Sequence, residues 1–136
     1  MESSAGRSGL LQEFQAVADD ALIRHRSLLD VMSKLQESQA RLARATAIAV
    51  TVCGCITVEA QRQRIPADAE LADLHEYVHS HIQGALCSRC REEVESELGQ
   101  LLFYQTALAT LFDISLEDIV TCDLARLKTL GVFNLS

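Results

Sequence analysis

Apolar residues recur every three or four positions through most of this chain, a period that fits helices and not strands. Leu10, Leu11, Phe14, Val17, Ala18, Ala21 and Leu22 form one such stripe; Leu28, Val31, Met32, Leu35, Leu42, Ala45 and Ile48 form a second. The first predicts a helix over 9–26 with Ser8 as its N-cap. The second predicts a helix opened by Ser27 and running to about Thr51. Punctuation is scarce: one proline and six glycines in 136 residues argue against a turn-rich β-sandwich or barrel. Hydrophobic residues make up 49% of the chain, yet it holds four Phe, two Tyr and no Trp, so its core must be aliphatic.

Gly54 stands between two cysteines, ahead of the β-branched Ile56-Thr57-Val58, and predicts a break, with helix resuming from Glu59 to Arg62. Ile65-Pro66 marks a turn, because a residue before proline avoids the helical region. A third helix is expected over 68–83, on the stripe Leu71, Leu74, Val78 and Ile82, with Gly84 at its C-terminus. A long helix follows over 89–112. Its stripe holds Val94, Leu98, Leu101, Leu102, Leu108, Ala109 and Phe112, and Glu92, Glu93 and Glu95 suit the positive end of its dipole. Ser115-Leu-Glu-Asp118 reads as a capping box, opening a last helix from Leu116 to about Leu130 that stops at Gly131, with an apolar tail over 132–136 that docks. There are no internal repeats. The expectation is an all-α bundle of four or five helices: one domain over 9–136 behind a flexible leader over 1–8.

Twelve basic residues against nineteen acidic ones give a net charge of −7, a poor balance for gripping a nucleic-acid backbone. The longest apolar run without a charge, Ala45 to Val58, falls short of the roughly 18 residues a membrane span needs. The N-terminal residues hold no apolar signal core. These features predict a cytoplasmic chain with neither membrane nor nucleic acid as partner.

Grouped cysteines in such a chain point to metal or redox chemistry more than to a disulfide framework. Cys53-Gly-Cys55 and Cys87-Ser-Arg-Cys90 are two close pairs, and four thiolates from two pairs complete a tetrahedral zinc site or the corners of an iron–sulfur cluster. Zinc is favoured, because nothing else in the chain implies an electron-transfer partner. Cys90 falls in the first turn of the long helix, where free N–H groups favour thiolate. Two other readings stay open. The cysteines can be packed as small apolar residues, or Cys87 and Cys90 can form a redox-sensing disulfide. Cys122, on the last helix, reads as a plain buried residue.

His75-Glu76-Tyr77-Val78-His79 matches the zinc-protease pattern H-E-x-x-H. A protease of that kind needs a third protein ligand and a neighbouring sheet, and the chain offers no strand-rich region. His75 lies inside the third stripe and is read as packed; His79 or His81 near the cysteines is the lesser metal alternative.

The run Glu97-Leu98-Gly99-Gln100-Leu101-Leu102-Phe103-Tyr104-Gln105-Thr106-Ala107-Leu108-Ala109 resembles the MazG-like all-α nucleoside-triphosphate pyrophosphohydrolases. So do Ile114-Ser115-Leu116-Glu117-Asp118-Ile119, Asp123-Leu124-Ala125-Arg126-Leu127 and the segment from Lys34 to Ala45. The resemblance covers about two-thirds of the chain and implies a helical fold completed as a homodimer or homotetramer. It also implies magnesium held by an E-x-x-E and an E-x-x-D. Those positions fall on Ser38 and Arg41 and on Glu97 and Gln100, so only Glu97 is kept. The cysteine pairs lie outside the family pattern. The favoured expectation is a divergent, non-catalytic member that binds a partner or a small anionic ligand such as a nucleotide, with Arg41 and Lys34 as ligand-binding candidates. Its rival is a magnesium-dependent pyrophosphohydrolase using Glu37, Glu93 and Glu97, and a third reading is a thiol or iron–sulfur redox sensor.

Overall fold

A computed structural model describes the backbone of residues 3–22 and 26–130, with side chains from residue 9 onward. Its elements are α1 (Ser3–Ala21), α2 (Leu28–Ile48), a π-helical turn (Ala49–Cys53), β1 (Ile56–Val58), a 3-10 helix (Leu71–Glu76), β2 (Ile82–Gly84), α3 (Ser88–Leu111) and α4 (Leu116–Leu130). The chain is mostly helical, the class the apolar spacing predicts, and the small β1–β2 sheet is the departure from all-α. Among the described residues no helix is long and apolar enough to cross a membrane. α1 begins at Ser3, so Ser8 lies inside it and does not cap it. The end of the first helix over 23–25, the stop at Gly131 and the tail over 132–136 fall outside the described residues.

Two compact units make up the chain: 1–42 with 96–136, and 43–95. In the first, Leu22, Val31 and Ala107 form a buried cluster against which Phe103, Leu108 and Leu111 pack. α3 ends in a hydrogen-bonded cap: Asp113 takes a left-handed φ of 56°, and the Ile114 N–H reaches back to the Ala109 carbonyl at 2.9 Å. Ser115 then caps α4, its hydroxyl accepting from the Asp118 N–H at 3.3 Å, as the capping box predicts. Gln15 of α1 fastens this corner. Its amide nitrogen donates to the Thr110 hydroxyl at 3.1 Å and the Ile114 carbonyl at 2.8 Å, and its oxygen accepts the Leu116 N–H at 2.8 Å.

The unit over 43–95 corrects two expectations. The helix predicted from Glu59 to Arg62 is absent; β1 stands before it and chain without regular secondary structure continues through it. β-branched Ile56, Thr57 and Val58 prefer extended backbone, and here they have a partner strand to pair with. The helix predicted over 68–83 shrinks to the single 3-10 stretch Leu71–Glu76. Beyond it, β2 pairs antiparallel with β1 in the register Ile56↔Gly84, Thr57↔Gln83, Val58↔Ile82. The ladder is extended by the Glu59 N–H donating to the His81 carbonyl at 2.9 Å. Leu71, Val78 and Ile82, read as one face of a helix, are all exposed, so no burial held that helix together. Gly84 does not end a helix: it sits at φ 87°, where an added Cβ would lie 2.7 Å from the Cys55 carbonyl oxygen. The turn at Pro66 is present, the Ala69 N–H bonding to the Pro66 carbonyl at 3.1 Å.

Candidate metal centre

The hairpin brings the two cysteine pairs together. The π-helical turn closes with the Gly54 N–H on the Ala49 carbonyl at 2.9 Å, and Gly54 itself takes φ 74°. That left-handed residue reverses the chain between Cys53 and Cys55, and β1 carries it away. β2 returns the chain to Cys87, and α3 begins at Ser88, so Cys90 stands in its first turn. Sγ of Cys53, Cys55, Cys87 and Cys90 all lie within 4.8 Å of one another. They are the one group among the described residues placed to share a metal ion.

The sulfurs have a dry side and a wet side. Cys90 is buried with Ala49 and Ile56, and Val50 and Leu86 pack against that cluster; Cys53 is exposed. Sγ of Cys53 and Cys87 are 3.8 Å apart. The Cys90 N–H points at the Cys87 sulfur at 3.4 Å. That backbone hydrogen bond, helped by the Cys90 thiol, lowers the Cys87 pKa to about 7. Cys90, whose thiol donates to Cys87 and which is desolvated, is pushed up to about 12. One sulfur of the set is therefore readily a thiolate, and a soft cation would draw the other protons off. The arrangement can hold a metal.

The other candidates are placed elsewhere. His75 sits near the end of the 3-10 helix, with Nδ1 3.1 Å from the Ala72 carbonyl, whereas His79 lies beyond it. The H-E-x-x-H residues therefore share no helical face, and neither His79 nor His81 belongs to the group placed to share a metal. Cys122 is exposed on α4, not buried. Glu37 accepts from Lys34 Nζ at 3.1 Å and is paired with Arg41. The Lys34 hydrogen bond, then the Arg41 charge, hold its carboxyl below the usual range. Glu93 is exposed on α3, and Glu97 keeps one buried oxygen, Oε2, without a hydrogen-bond partner.

Sequence reasoning placed Gly84 at a helix end and so missed the hairpin that closes the site. Its signal was the β-branched run beside one cysteine pair, matched by a glycine three residues before the other. Comparison of the chain with family models, with curated proteins and with solved structures finds no match.

Proposed function

We propose that this chain is a zinc-stabilised, non-catalytic binding module, a divergent relative of the MazG-like domains that assembles with copies of itself. The observation that carries the zinc assignment is the spacing of the sulfurs. A tetrahedron of thiolates about 2.3 Å from one zinc has edges of about 3.8 Å, and the Cys53–Cys87 separation is 3.8 Å. An iron–sulfur cluster sets several irons and sulfides between its four thiolates and needs them further apart than a set gathered within 4.8 Å. Zinc here would supply folding energy and no reaction, tying the turn after α2 to the start of α3. The dry shell of Ala49, Ile56 and Leu86 suits such a structural role.

The non-catalytic part rests on the carboxylates. Glu37 is occupied by two cations, and Ser38, at a position where the resemblance asks for a carboxylate, is buried. The assembly part rests on α4, where Ile119, Val120, Leu124, Leu127 and Leu130 are exposed and no residue is buried.

Metal analysis and a visible spectrum of protein purified anaerobically without chelator test the reading. About one zinc per chain and a colourless solution are expected. Iron with a broad visible band, or no metal, overturns the zinc assignment.

A further inference from the structure

The hairpin that closes the cysteine site also builds a pocket at its far end. A cavity of about 370 Å³ opens between the chain leaving β1 and the chain entering β2, with Arg62, Arg64, Tyr77, His79, Ser80 and His81 in its lining. Its shape is held by one side chain. The Gln63 amide clamps the His79 backbone, Nε2 donating to the carbonyl at 2.9 Å and Oε1 accepting the N–H at 3.1 Å, while Nε2 also lies 3.4 Å from His81 Nε2. The clamp does for the loop what a ladder bond does for a strand, so the two arms of the pocket keep their spacing without a sheet. His81 adopts a left-handed φ of 63°, a conformation non-glycine residues take up where their surroundings impose it.

Charge selects the ligand. Arg62 and Arg64 take part in none of the ion pairs or hydrogen bonds of the described residues, in a chain whose net charge is −7. Lys34 and Arg41, the cations singled out from sequence, are instead bound to Glu37. Glu59 is the one carboxylate in the pocket lining, set against two guanidiniums, two imidazoles and two hydroxyls. Guanidinium forks match phosphate oxygens bidentately, and hydroxyl and imidazole donors complete such a site. The cavity sits at the lower end of the roughly 300–1,000 Å³ range of small-molecule sites, larger than a bare phosphate requires.

We propose that this pocket binds a small phosphorylated metabolite through its phosphate, with Arg62 and Arg64 as the principal contacts. The proposal rests on the reading of the chain as a binding module and names where that binding occurs. It does not depend on which metal the cysteines hold.

Calorimetric titration of the metal-loaded full chain with ribose 5-phosphate, AMP, inorganic phosphate and citrate tests it, with metal content measured on the same sample. Saturable binding of at least one phosphate monoester is expected. The double variant Arg62→Gln/Arg64→Gln should weaken it by about tenfold or more, as expected for loss of charged hydrogen bonds, with metal content unchanged. Arg41→Gln should leave it intact. Binding of citrate alone, no saturable heat with any phosphate at millimolar concentration, or equal affinity in the double variant overturns the pocket assignment. Failure of the zinc reading shows separately, in the metal content.

Discussion

At the scale of single residues, two glycines decide whether four sulfurs meet, and they do so for different reasons. Gly54 and Gly84 both take positive φ, at 74° and 87°. A Cβ on Gly54 meets nothing within 4 Å, so only the left-handed backbone resists substitution there. A Cβ on Gly84 would press on the Cys55 carbonyl, which belongs to the backbone of the site and cannot swing away. Gly54→Asn should therefore cost little, since Asn tolerates that conformation, and Gly54→Ala about 1–2 kcal/mol. Gly84→Ala should cost more than Gly54→Ala and should loosen the metal, because the strands must separate to admit the methyl group. Unfolding by urea, run beside the rate of metal loss to a chelator, checks this. Equal losses for the two alanine variants would show that the close approach at Gly84 does not matter.

At the scale of elements, the long helices were legible and the hairpin was not. α2 and α3 begin and end, and α4 begins, within a few residues of where stripes and caps put them, because their signals are local: Ser27, Ser115 and Asp118 act within a turn of themselves. The stripe Leu71, Leu74, Val78 and Ile82 has the same period, but Leu71, Val78 and Ile82 are exposed and no side chain caps the segment as Ser115 caps α4, so only Leu71–Glu76 is helical. β1 and β2 form only because residues 56–58 and 82–84 find each other, and nothing within either segment states that pairing. The four cysteines were legible as a set because thiol pairs are rare and distinctive. Their closeness in space was an expectation from chemistry that the hairpin supplies. Gln15 carries no local signal at all, yet it bonds the end of α3 and the start of α4. Gln15→Ala leaves the Leu116 N–H and the Ile114 carbonyl without that partner and should lower stability by about 1–2 kcal/mol. Val31→Ala, in the fully buried centre of the same unit, should cost about 2–3 kcal/mol. Denaturant curves rank the two. A Gln15→Ala loss near zero would mean water replaces all three bonds.

At the scale of the whole molecule, the unburied apolar surface demands an account. α4 is amphipathic and capped at its start, yet Ile119, Val120, Leu124, Leu127 and Leu130 remain exposed along it. A helix face of that kind is stable in water when something covers it. Under the self-assembly proposed above, a second copy of α4 covers that face by apolarity, the pair running antiparallel about a twofold axis. The two helix dipoles then also run in favourable opposition. Leu124→Glu places a carboxylate in the middle of that seam and should shift the protein towards single chains, seen as a fall in molar mass by light scattering at micromolar concentration. Ala125→Glu, which adds the same charge on the opposite side of the helix, should leave the mass unchanged. Metal content should be the same in both variants, because the cysteines lie in the other compact unit. A native protein that already weighs a single chain removes the self-pairing. Loss of mass in both variants would assign the effect to charge in general and not to the apolar seam.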